Sequence, residues 1–119
     1  MKHEKNYQRL IELCKEYNGI DPSLRNSRKH ELVLVKSCVF NVLSKYFGAT
    51  TTAIGKLFDL HHSTIVHHHA IHFTRYRYED EYATLYDYLI LKCNEMDKSF
   101  IDVEDVIKKI NSALSTKKV

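Results

Sequence analysis

A chain of 119 residues with 44% hydrophobic content has the size of one domain and enough apolar side chain to bury a core, so a single helical domain over 1–119 is the starting expectation. Three glycines and one proline are too few for the turns of an all-β fold, which points to an all-α chain. The net charge of +3 is too small to demand a polyanionic partner, and the longest apolar run, Leu32 to Phe40, is interrupted by Lys36 and Ser37, far short of the ~20 apolar residues that span a bilayer.

From residue 4 to 17, Tyr7, Leu10, Ile11, Cys14 and Tyr17 recur on one face and predict a first helix. Asn18-Gly19 ends it, because either residue takes a left-handed cap, and Asp21-Pro22-Ser23 reads as a turn leading through a loop to Asn26. Ser27 is a suitable N-cap for a long helix reaching Phe47, with Leu32, Val35, Val39, Val42, Leu43 and Tyr46 buried and Lys36 pointing outward. Gly48 closes it. Thr50, Thr51 and Thr52 are three candidate caps for a short helix carrying Ile54, Leu57 and Phe58.

Asp59 and Leu60 then break the pattern, and His62-Ser63-Thr64 suits the opening turn of a second helix running to His72. Two short helices joined so tightly make a helix-turn-helix, whose second helix presents its N-terminal residues to a major groove. Phe73, Arg75 and Arg77 lead into a further helix from about Glu79, with Tyr82, Leu85, Tyr86, Leu89, Ile90 and Cys93 as its core stripe. The carboxylates of Glu79, Asp80 and Glu81 suit its first turn, where the helix dipole is positive. Asp102 reads as the N-cap of a last helix bearing Val106, Ile107, Ile110 and Leu114. The expected architecture is five to six helices about a central helix-turn-helix, with flanking helices in 1–20 and 79–115.

Charge is unevenly distributed: Arg25, Arg28, Lys29 and Lys36 are opposed only by Glu31, whereas Glu79, Asp80, Glu81, Asp87 and Glu95 follow the second helix of the motif. Arg28 and Lys29 at the start of the long helix oppose its dipole, which favours phosphate contact as their role. Cys14, Cys38 and Cys93 are widely spaced on apolar faces and read as reduced core thiols. Six of the eight histidines fall between His61 and His72. His68 and His72 have the i, i+4 spacing of helical zinc ligands, yet no H-E-x-x-H or C-x-x-C completes a set, so no metal is predicted. These histidines are instead expected to face solvent or DNA and to add positive charge as pH falls. No acid, base and nucleophile share a recognisable spacing, which predicts a protein that is not an enzyme and takes no cofactor. The tyrosines at 76, 78, 82, 86 and 88 read as packing residues, because Tyr82 and Tyr86 lie on a core stripe.

Ile54-Gly55-Lys56-Leu57-Phe58 followed by His62-Ser63-Thr64-Ile65-Val66-His67 resembles the C-terminal DNA-binding domain of the bacterial replication initiator DnaA, over residues 28–73. That family pairs an I-G-x-x-F helix with an Asp-His-Thr-Thr-Val-x-His recognition segment. The resemblance implies a Trp-repressor-like helical fold and sequence-specific binding of duplex DNA. It implies base contacts from His62, Ser63 and Thr64, a minor-groove contact from Lys36 and phosphate near Thr50, Thr51 and Thr52; His61 and His67 are further candidate base contacts, and Arg28, Lys29 and Lys56 further candidate backbone contacts. Leu60-His61 stands where the family has Arg-Asp, and the turn is about one residue shorter, which removes part of the family's base readout. No G-x-x-x-x-G-K-[ST] loop occurs, so the chain reads as a stand-alone module of the sort a phage or mobile element carries, acting in replication or transcription control. The competing expectation is a helix-turn-helix scaffold repurposed to bind a host replication or transcription protein, for instance through Glu79, Asp80 and Glu81. Either form allows a homodimer through the flanking helices. No membrane association is expected, and the N-terminal M-K-H-E-K-N, which lacks an apolar signal core, places the protein in the cytoplasm, on the nucleoid.

Overall fold

The computed structural model describes residues 3–24 and 29–96, and the regular elements among them are six helices. Helix α1, Glu4–Asn18, buries Leu10, Ile11, Leu13 and Cys14 and stops where predicted, with Gly19 left-handed at φ 75° and its N–H on the Lys15 carbonyl. Tyr17 lies at the margin of the expected stripe, 41% exposed, with its ring 4.7 Å from that of Tyr88.

Helix α2, His30–Lys45, is the axis of the fold. Ten of its residues are buried, from Leu32 to Leu43, including the polar Ser37 and Asn41. It starts after Lys29, which is extended (ψ 133°), and ends before the predicted Phe47, because Tyr46 and Phe47 form a turn that Gly48 completes at φ 71°. The predicted cap Ser27 and the basic residues Arg25 and Arg28 lie outside the described residues.

Helix α3 is Thr51–Phe58 and helix α4 is His62–Ala70. Both were expected, but the second ends earlier than predicted. Ile71 (φ −95°, ψ 2°) separates α4 from a further short helix, α5, His72–Tyr78. The sequence H-F-T-R-Y-R-Y has no aliphatic stripe, so its pattern read as a connection. What makes it a helix is His72, which is buried where an aliphatic residue would ordinarily anchor such a turn. Glu79 is extended (φ −115°, ψ 100°), and helix α6 covers 80–96, with Tyr82, Leu85, Leu89 and Cys93 buried as predicted. The predicted last helix, with Asp102, Val106, Ile107, Ile110 and Leu114, lies outside the described residues.

One core joins these helices. Phe58 closes it from α3, its ring edge-on to Phe40 at 4.6 Å and to Tyr7 at 5.0 Å, while Ile54 and Ile65 bring both helices of the motif into the same cluster. Among the described residues no helix is long and apolar enough to cross a membrane. The three cysteines are free and buried, and burial pushes the Cys14 thiol up to about 12. Ellman's reagent is therefore expected to leave all three thiols unmodified in the native protein and to react with three per chain in denaturant. Rapid native reaction at any one of them would contradict this packing.

Candidate nucleic-acid interface

The turn between α3 and α4 follows from two residues. The Leu60 N–H bonds the Gly55 carbonyl at 2.8 Å and the Asp59 N–H bonds the Lys56 carbonyl at 3.4 Å, the paired bonds of a Schellman stop, with Asp59 left-handed at φ 54°. The chain thus folds back tightly over Gly55. A β-carbon there would sit 2.6 Å from the Leu60 carbonyl oxygen, so the I-G pair serves the turn geometrically. Gly55→Ala is expected to lower stability by about 1–3 kcal/mol in urea denaturation through overpacking against rigid backbone. An unchanged midpoint would show that the turn opens freely.

Caps set the ends. Of the three threonine candidates, Thr50 caps α3, its hydroxyl accepting the Ala53 N–H at 3.1 Å, while Thr51 and Thr52 form the first turn. At α4 the cap is not a hydroxyl residue. The His61 ring accepts the Ser63 N–H at Nδ1 (3.1 Å), with the Ser63 hydroxyl 2.8 Å away from the same nitrogen. Ser63 and Thr64 lie in the opening turn, as expected, and the Thr64 N–H bonds the His61 carbonyl.

A polar chain through the core anchors α4 from behind. Asn41 Nδ2 donates to the Ser37 carbonyl (2.9 Å) and to the Tyr82 oxygen (3.0 Å), which identifies it as the nitrogen and leaves the Tyr82 proton for His72 Nδ1 at 2.6 Å. Asn41 Oδ1 can only accept, so His69 donates to it from Nδ1 at 3.0 Å. The order of donation is His69 to Asn41 to Tyr82 to His72, joining α4, α2, α6 and α5. His68 packs edge-on against Phe40 at 5.1 Å and accepts from Arg75 at 3.1 Å, and Arg75 in turn lies 3.7 Å from Glu79.

These contacts correct the expectation that the histidines face solvent. His68 and His69 are half-buried and His72 is buried; desolvation lowers the proton affinity of all three, aided by Arg75 at His68 and Lys45 at the other two. The break at Ile71 also places His68 and His72 on different helices, and each ring has its own partner, Arg75 for His68 and the Tyr82 hydroxyl for His72. For His68 the value falls to about 4 from an ordinary 6.5. The unfolded chain then binds more protons than the folded one between those values, so stability falls as pH drops from 6.5 towards 4. Thermal melts across that window are expected to show a falling midpoint, with a smaller fall in His68→Asn. A midpoint independent of pH would mean that the rings are solvated.

The outward face of α4 carries His62, Ser63, Val66, His67 and Ala70, all exposed, and Thr64 beside it is half-buried. Four of the five predicted base-contacting residues, His62, Ser63, Thr64 and His67, therefore have accessible surface on the motif's second helix, and the fifth, His61, has Nδ1 committed to the cap. Lys29, Thr50, Thr52 and Lys56 are exposed and Thr51 is half-buried, while Arg28 lies outside the described residues. Lys36 is half-buried within α2, on a helix and not in the basic loop that the resemblance implies. The sequence reading missed Val66, Phe73 and Lys45, although Val66 and Phe73 are seven residues apart and so nearly in line on a helix surface. Lys45 Nζ sits 5.1 Å from the centre of the exposed Phe73 ring. Comparison with protein-family models, with curated proteins and with solved structures gave no match.

Proposed function

We propose that this chain is a DnaA-like, stand-alone module that binds duplex DNA sequence-specifically, with α4 in the major groove. The observation that carries this reading is electrostatic. From Gly48 to Tyr78 the only carboxylate is Asp59, in the turn, so α3, α4 and α5 themselves bring little negative charge to repel phosphates. His62, Ser63 and His67 present donors and acceptors on that face, suited to base edges, while Lys56 and the exposed N-terminal threonines of α3 suit phosphate. The recognition helix itself has no lysine or arginine. Non-specific attraction is accordingly weak, and the cations that hold the backbone come from neighbouring elements.

The protein-binding alternative has one observation in its favour: a depression of about 240 Å³ lined by His30, Leu34, Glu79, Asp80 and Glu81, acidic at its rim and apolar beneath. A basic segment of a host replication or transcription protein would suit it.

Fluorescence anisotropy of a labelled random duplex of about 30 base pairs, over a range of salt, tests the first reading. Binding should weaken linearly in log salt. A sequence selected on the protein should lose about 1–3 kcal/mol with His62→Ala or Ser63→Ala, whereas Lys56→Ala should weaken all sequences and reduce the salt slope by about one. Failure to bind any duplex at low salt would overturn the reading and favour the acidic depression as the working surface.

A further inference from the structure

The exposed stripe of α4 does not end with the polar residues at its start. His62, Val66, Ala70 and Phe73 follow one another at helical intervals and all are exposed, Val66 by 49% and Phe73 by 73%. The backbone ladder continues across the break, since the Ile71 N–H bonds the His67 carbonyl at 3.2 Å and the Arg75 N–H bonds the Ile71 carbonyl at 3.0 Å. The core does not need these side chains, because the inward faces of the same helices are supplied by Ile65, His68, His69 and His72. Val66 and Phe73 are thus apolar surface that folding leaves in contact with water, which a partner could cover.

Its chemistry narrows what covers it. Val66 lies one turn, about 6 Å, beyond His62 and between Ser63 and His67, all of them polar. Phe73 has Lys45 over its ring. A purely apolar partner would have to desolvate that ammonium and the flanking imidazoles. A polyanion with isolated apolar features would not, and the one apolar group on the major-groove edge of a base pair is the thymine methyl.

We infer that Val66 is a specificity-determining residue that packs on a thymine C5-methyl group, one turn beyond the base pairs met by His62 and Ser63, while Phe73 and Lys45 together seat on the adjoining sugar and phosphate. This rests on the duplex-DNA reading and adds a base preference to it.

Deoxyuridine differs from thymidine only by the missing methyl, which makes the test direct. A duplex selected on the protein is remade with each thymidine in turn replaced by deoxyuridine, and affinities are measured by anisotropy for wild type, Val66→Ala and Phe73→Ala. Wild type should lose about fourfold at one or two positions, the effect of one apolar carbon leaving a buried contact. Val66→Ala should bind the thymidine and deoxyuridine duplexes alike, and Phe73→Ala should weaken both without changing their ratio. Circular dichroism melts confirm that the variants fold, as expected for exposed positions. If wild type binds the selected duplex but ignores every replacement, or if the ratio survives in Val66→Ala, this inference fails while duplex binding stands. If no duplex is bound at all, both fail.

Discussion

The position of α4 depends on one buried polar chain. Asn41 sits at its centre on α2, receives the His69 proton, and passes its own amide hydrogens to a backbone carbonyl and to Tyr82, which is itself bonded to His72. A buried amide and phenol are destabilising unless each finds partners, and here the side-chain partners lie on three other helices, His69 on α4, His72 on α5 and Tyr82 on α6. The requirement that all be satisfied together fixes α4, α5 and α6 against α2 more sharply than interchangeable aliphatic contacts would. The histidine-rich composition of this region is thus largely a structural solution. Three of the six clustered imidazoles are packing residues with polar edges, and a fourth, His61, is a helix cap.

With the inward side of α4 so constrained, its outward side is free to vary. The tight stop over Gly55 sets the angle between α3 and α4, and the cap at His61 sets where the second helix begins. What remains exposed is a short, nearly neutral surface of imidazole, hydroxyl and aliphatic groups. Under the duplex-DNA proposal such a face would discriminate by fit more than by charge, with cations held elsewhere on the backbone.

Arginine use illustrates the division. Arg75 falls in the segment directly after the motif, where a basic residue invites a phosphate role, yet its guanidinium lies between His68 and Glu79 and is spent on internal contacts. Arg77, two residues on, is exposed. Two neighbouring arginines of the same short helix have different jobs because a seven-residue helix turns one of them inward.

Local physics made much of this protein readable from its sequence. The 3.6-residue stripes of α1, α2 and α6 were evident because aliphatic spacing alone defines a helix that packs on one side, and Gly19 and Gly48 marked stops because they sit where the backbone is left-handed. The paired motif around Gly55 and Ser63 was readable for the same reason, since turn and cap chemistry is encoded within a few residues. Tertiary structure decided the rest. Whether His69 and His72 faced solvent or core depended on Asn41 and Tyr82, which lie 28 and 10 residues away in the bonds they make, and the His68 ring depended on Phe40 and Arg75. Imidazole is compatible with either environment, so its spacing carries no direction. The break at Ile71, the helix that follows it, and the exposure of Val66 and Phe73 all follow from that inward choice, which the sequence could not express until distant partners were brought together.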